Sequence, residues 1–427
     1  MIIQGVNITG GIRLDPPPPP PPSALFIASA PFNDADYNNG GRAYILGGDS
    51  QIVLSDPNGA SGGQFGYSGG AINADANLIV IGNQNQQIAG FDLDGNLLFT
   101  QSSSSTGTTN ESWGQFCAIG TKLVTSDYNY SDGASGFPGF RRGKIYVYDL
   151  DGTNRQDISS PAPTQPNEWF GNTLAVTDTK IACGATNMDN GRGALFIMNY
   201  DGTSMVKIVP AVRDVDDFLS EVSINSTKIA GGARGVGNDN QGAAYVFNHD
   251  GTGEVKIVPS DSQGGMYFGI STAMTQTKLI VGSPDFGNGG TGAVYVYNLD
   301  GTGEQKITTA VAGVANYGFT VAISDTQIAV GSGGSTGSNV GSGSTFVYDI
   351  DGTNEMQITA IPGYQSDNFG GGVSITANKI LIGADGDTAQ GANVGSVYLF
   401  DTDGTNQIQV TASDGTANSR FGSAVSF

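Results

Sequence analysis

A Phe-Gly pair, or a close variant of it, returns about every fifty residues, and each time the same succession follows. A β-rich run comes first, then a second run opening on Lys-Ile or Lys-Leu, then a third of the type Ala293-Val294-Tyr295-Val296-Tyr297, then Asp-Gly and a short fourth run. The markers are Phe65, Trp113, Phe170, Phe218, Phe268, Tyr317, Phe369 and Phe421, eight in all. A self-similar period of this length, made of four short strands, is the signature of a propeller blade, because one such sheet cannot bury both its faces until neighbours stack on it. The expected fold is therefore all-β, an eight-bladed propeller of four-stranded antiparallel blades.

The phase of the repeat says how the ring closes. The last copy stops after one strand, Ser423 to Phe427, whereas the first copy lacks that strand and opens at Ala24 to Ser29. Each end supplies what the other is missing. Blade 1 is expected to be composite, with its inner strand from the C-terminus and its outer three from Ala24 to Ser29, Arg42 to Gly47 and Gln51 to Ser55.

Local chemistry agrees. The third strands are aromatic and β-branched on both faces, as sheets sandwiched between sheets require. Asp-Gly at Asp94, Asp151, Asp201, Asp250, Asp300, Asp351 and Asp403 falls where a tight turn needs positive φ, which reads these aspartates as turn formers. Lys207, Lys256 and Lys306 recur in the outermost strand, where a charge discourages edge-to-edge pairing.

These residues carry a resemblance. Phe268-Gly269, then Lys278-Leu279-Ile280-Val281-Gly282-Ser283-Pro284, then Gly292 to Tyr297 resembles the FG-GAP repeat of integrin α chains and of many bacterial and phage proteins. It departs from that pattern at Phe218-Leu219, at Trp113 and Tyr317, and in the count of eight, since integrin propellers usually have seven blades. The resemblance implies fold more than function. It also raises calcium, which the family binds between strands one and two; here those links are too short, as at Thr177-Asp178-Thr179 and Ser324-Asp325-Thr326. Oxygen ligands that would suit Ca²⁺ gather instead between strands two and three, at Asp34, Asp36 and Asn38, at Asp127, Asn129 and Asp132, and at Asp385 and Asp387, without completing a twelve-residue loop. The expectation is no cofactor, with Ca²⁺ as the one ion the loops could take.

Three segments are expected: an anchoring arm over residues 1–15, a polyproline spacer over 16–23 and the propeller over 24–427. The arm carries Ile2, Ile3, Val6, Ile8, Ile12 and Leu14, and Pro16 to Pro22 form a stiff rod of about 22 Å. The arm is similar to N-termini of virion structural proteins of marine tailed phages.

A net charge of −21 argues against nucleic acid and against an anionic membrane, and no apolar run is long enough to span a bilayer. Met1 to Asp15 shows no basic start followed by an apolar core, so manufacture in a host cytoplasm is expected rather than standard secretion. Cys117 and Cys183 align with Leu174 and Val330 of other copies and read as small core residues. The only histidine, His249, sits at an Asp-Gly turn, and Gly331-Ser332-Gly333-Gly334 lacks the helix a phosphate cradle needs, so catalysis has little support.

Up-and-down topology sorts the loops. The one-two and three-four turns share one face and are short and uniform; the two-three and four-one loops share the other and differ in every copy. Binding groups concentrate on variable loops held by a rigid scaffold. The outlier is Asp127 to Arg142, with Tyr128, Tyr130, Phe137, Phe140, Arg141 and Arg142; Arg234, Phe286 and Tyr364 belong to the same face. Both chain ends should lie on the uniform face, so tether and variable loops would point opposite ways. The leading expectation is a non-enzymatic virion appendage, held to other virion proteins by its arm and facing a host-surface receptor or glycan. The alternatives are a bacterial surface or secreted adhesin, located at the cell surface or outside it, and a propeller glycoside hydrolase or lyase using paired aspartates. Any homo-oligomer is expected to form through the arm.

Overall fold

The computed structural model describes the chain except residues 1–25, 32–39, 48–49, 58–63, 67–69, 74, 84–86, 103–112, 132–140, 162–166, 212–220, 238, 285–290, 312–313, 315, 334–342, 360–367, 389–392 and 424. The anchor arm and spacer thus lie outside the described residues.

Eight four-stranded antiparallel sheets make up the molecule. Blade 1 joins Phe26–Ala30, Arg42–Gly47 and Ser50–Ser55 to Val425–Ser426, with Ile27 opposite Ser426 and Ala28 opposite Val425. Blades 2 to 8 span residues 70–102, 113–159, 170–208, 221–257, 272–307, 320–358 and 372–411. The first strand of each contacts the first strands of the two neighbouring blades, and the circuit closes because Val425–Ser426 touches both Gly70–Asn73 and Gly372–Ile375. The expected composite blade is present, its C-terminal strand shorter than the sequence implied.

The core is not central. Eight apolar clusters each join two adjacent blades, so that every seam, including the one between blades 8 and 1, has its own wedge of buried side chains. Phe421 is fully buried in the closing seam, edge-on to Tyr44 at 4.8 Å, and Phe26 meets Phe427 at 6.2 Å.

The repeat motif is the fastening between blades. Phe65, Phe170, Phe268, Tyr317, Phe369 and Phe421 are buried and pack edge-on against the third strand of their own blade, as Phe268 does on Tyr295 at 5.4 Å. Their backbones reach backwards: Phe421 N–H donates to Val394 O at 2.9 Å and Tyr317 N–H to Thr291 O at 3.0 Å in the preceding blade. The following glycine has φ near +90°, as at Gly318 (88°), Gly370 (90°) and Gly422 (91°), where a side chain would be strained. Its carbonyl presses on the glycine one residue before the end of strand two of the blade before: a Cβ on Gly282 would lie 2.0 Å from Gly318 O and one on Gly383 2.0 Å from Gly422 O. At the four seams from blade 5 round to blade 1 the two glycines of the motif are thus one contact, whereas Ser29 and Ser126 stand at the strand-two position against Gly66 and Gly171.

The Asp-Gly turns repeat just as closely. In blade 6, Gly301 N–H donates to Asn298 O, Asp300 accepts from the Thr302 N–H (3.0 Å) and hydroxyl (2.6 Å), and Lys278 Nζ donates to Asn298 Oδ1 at 2.8 Å. The same set recurs at Asp201 and Asp250. These hydrogen bonds hold the Asp151, Asp201, Asp250, Asp300, Asp351 and Asp403 carboxyls below the ordinary 3.8. The aspartates are turn formers.

Candidate functional site: the loop face

Two regions are concave or chemically distinct. On the uniform face, a cavity of about 660 Å³ opens at the axis, walled by the one-two turns of blades 4 to 8, from Thr177 round to Ala377. Several of its polar side chains are engaged by their own turns. Thr177 Oγ1 accepts from Lys180 N–H, Asn225 Oδ1 from Thr227 and Lys228 N–H, Thr275 Oγ1 from Lys278 N–H, and Thr376 Oγ1 from Lys379 N–H.

The loop face is different in every blade, and its most distinctive part is the seam between blades 3 and 4. Tyr128 and Tyr130 follow the second strand Leu123–Asp127, and the loop returns on itself through Arg142 N–H to Tyr130 O at 2.9 Å. Tyr130 lies under the Lys144 ammonium, 3.8 Å from its ring centroid. Lys144 pairs with Asp157 at 3.4 Å, and Arg155, 4.4 Å over the Tyr146 ring, shares the same carboxylate at 2.7 Å. Burial alone would raise Asp157, but Arg155 and Lys144 outweigh it and hold the carboxyl below its ordinary range. From blade 4, Trp169 reaches across the seam: its N–H donates to Arg141 O at 3.3 Å and its ring stands edge-on to Tyr128 at 6.5 Å. Arg141 is half-buried and its guanidinium makes no ion pair among the described residues.

Of the residues singled out from sequence, Tyr128, Tyr130, Arg141 and Arg142 therefore come together. Arg234 is exposed on the same face but in blade 5, the blade beyond blade 4. Phe137, Phe140, Phe286 and Tyr364 lie outside the described residues, as do Asp34, Asp36, Asn38 and Asp132. Trp169, which sequence reading passed over, is the residue that completes the group. The signal was available: the position before each marker Phe is Asn in blades 7 and 8 (Asn316, Asn368) but Trp in blade 4 and Tyr in blade 5's neighbour, blade 6 (Tyr267).

Other loop aspartates act as hydrogen-bond acceptors that pin loops to strands. Asp387 is buried and accepts from the Tyr398 hydroxyl at 2.9 Å and Gln409 Nε2 at 3.2 Å; Asp385 accepts from Asn368 Nδ2 at 2.6 Å. Asp261 accepts from the Tyr295 hydroxyl at 2.8 Å and also pairs with Lys306. Among the described residues no three His, Cys, Asp or Glu side chains converge as a metal site would require. No described helix is long and apolar enough to cross a membrane.

Two stretches, residues 252–297 and 353–400, match the FG-GAP repeat family. The chain carries FG-GAP repeats. Each matched stretch runs from the Asp-Gly turn of one blade through the third strand of the next, so it carries both motif glycines, each of which meets its partner in an adjoining repeat. Among solved structures, the chain is similar to Sqt1 of Saccharomyces cerevisiae, with 12% identity over 81% of this chain and 85% of that one and a TM-score of 0.53. BamB from Moraxella catarrhalis also matches, with 12% identity, 80% and 90% coverage and a TM-score of 0.48. At such identities the likeness concerns the fold alone. Among curated proteins none matches the sequence.

Proposed function

We propose that this chain is a non-enzymatic display protein of a tailed-phage particle, tethered through residues 1–15 to other virion proteins and turning its loop face toward a host-surface receptor or glycan. The observation that carries the reading is directional. Both ends of the ring, Phe26 and Phe427, meet at the face of the uniform turns, 6.2 Å apart ring to ring, while the strand ends that bound the variable loops lie at the opposite face. Because the chain enters the ring at Phe26, the rod of about 22 Å expected of Pro16 to Pro22 would hold the loop face outward. The resemblance of the arm to virion structural proteins supports the particle as the attachment point, and the aromatic and guanidinium groups at the seam of blades 3 and 4 are the kinds of side chain that dominate recognition surfaces.

Deleting residues 1–22 tests it. The shortened chain should fold as a monomer with an unchanged thermal midpoint and no longer join particles. Normal incorporation of the deleted chain would sink the tether, and unchanged adsorption by particles lacking the protein would sink the display role.

A further inference from the structure

The residue before each marker aromatic adopts a left-handed backbone in every blade where it is described: Gln64 (φ 46°), Trp169 (56°), Tyr267 (51°), Asn316 (57°), Asn368 (54°) and Arg420 (53°). The geometry is imposed by the seam, because the chain must turn there to send the next N–H back to the preceding blade. Asn meets it at low cost, since its short amide bonds locally, and the chain uses Asn in blades 7 and 8, where the amides donate to Gly333 O at 3.4 Å and to Asp385 Oδ1 at 2.6 Å. Trp is a poor tenant. A bulky side chain in this region is an outlier; Tyr267 is another, but its hydroxyl accepts from Asn240 Nδ2 at 3.3 Å. The Trp169 indole N–H is, moreover, buried with no hydrogen-bond partner among the described residues.

What surrounds Trp169 says what it is retained for. Tyr128 stands beside it at 6.5 Å, and Arg141, whose carbonyl takes the Trp169 N–H, keeps a guanidinium without a described counter-ion. In a chain of net charge −21 with 18 Lys and Arg, four of those 18, namely Arg141, Arg142, Lys144 and Arg155, fall within one stretch of blade 3; Lys144 and Arg155 are taken up by Asp157, which leaves Arg141 as the cation offered to a ligand. Aromatic faces accept the apolar face of a sugar ring, and a guanidinium matches a carboxylate with two parallel hydrogen bonds. A neutral glycan would have no use for the Arg141 guanidinium, and an acidic one would be held away from most of the remaining surface and so confined to this seam.

We infer that the loop-face seam between blades 3 and 4 binds an acidic polysaccharide of the uronic-acid class, with Trp169 stacking on a sugar ring, Tyr128, edge-on to Trp169, bounding the side of that ring, and Arg141 pairing with its carboxylate. This rests on the display reading and gives it a ligand.

The probe is polygalacturonate, with its methyl ester and dextran as uncharged comparisons, titrated against the full chain by calorimetry. The wild-type chain binds polygalacturonate at least tenfold more tightly than either comparison. Trp169→Asn raises the thermal midpoint, because Asn already serves at that position in two blades, and weakens binding at least tenfold. Arg141→Gln leaves the midpoint unchanged and removes the preference for the acid over its ester. Polygalacturonate binding that survives Trp169→Asn, or a wild-type chain that ignores polygalacturonate, overturns the assignment. The arm deletion reads particle attachment without any glycan, so this failure and that of the display reading are told apart.

Discussion

Glu221 is the one charged residue in the described first strands, and replacing it by Gln should stabilise the ring at neutral pH. It stands three residues after Phe218, where blades 6 and 7 carry Ser271 and Thr320. Those hydroxyls donate across the seam to the marker glycine of the next blade, Ser271 to Gly318 O at 3.1 Å and Thr320 to Gly370 O at 2.9 Å. A carboxylate has no proton to give at that place. The strands packed on Glu221 (170–176, 180–185, 228–233 and 272–274) carry only two charges, Lys180 and Lys228, both at their far ends and donating to Asn199 and Asn248. Burial without compensation pushes the carboxyl up from 4.5 to about 7. The folded state then holds a proton that the unfolded state releases, so the stability linked to this group is complete below about pH 4.5 and is lost as pH rises to 7. At about 1.4 kcal/mol per pH unit the loss is about 3 kcal/mol. Glu221→Gln mimics the protonated form at all pH values. Its thermal midpoint should match the wild type near pH 4 and exceed it by roughly 3–6 °C above pH 7.5, measured by scanning calorimetry at fixed ionic strength. Equal midpoints at pH 8, or a gap that does not change with pH, would refute the reasoning.

Other expectations follow from the same contacts. Gly282→Ala places a methyl group 2.0 Å from Gly318 O and should cost about 1–3 kcal/mol, read by urea unfolding, whereas alanine at Gly191, whose nearest neighbour is 3.8 Å away, meets only its own backbone strain. The Asp-Gly carboxyls lie below 3.8, so they stabilise the fold above that pH and the contribution fades as pH falls through it; Asp→Asn changes at Asp201, Asp250 and Asp300 together should flatten the acid limb of the midpoint-against-pH curve. Cys183 is fully buried and its thiol is pushed up by that burial, so alkylation mapped by mass spectrometry should leave it unmodified in native protein and label it after unfolding.

The fold was legible because each repeat states the same local rules eight times, and a rule that recurs is hard to mistake. Alternation gave the strands, Asp-Gly gave the turns, and the missing strand at each end gave the closure. The site was only half legible. Tyr128 and Arg141 stood out by composition, but their meeting with Trp169 depends on which blade follows which and on a backbone conformation set by the seam. Trp169 lies outside the strands and in no unusual stretch of sequence; only its substitution for Asn within the repeat marks it. Asp387 shows the converse: an oxygen-rich loop read as a candidate ion site holds a carboxylate already engaged by Tyr398 and Gln409.

The central claim is that the last strand of the chain completes the first blade of the same molecule. Ala28 and Val425 are cross-strand neighbours in that blade, so Ala28→Cys with Val425→Cys, in a chain whose Cys117 and Cys183 are replaced by Ala, reads the pairing directly under mild oxidation. A disulfide within one monomer, seen as a reduction-sensitive shift in gel mobility with a raised thermal midpoint, is the predicted result. Disulfide-linked dimers, or free thiols in a fully folded protein, would contradict it.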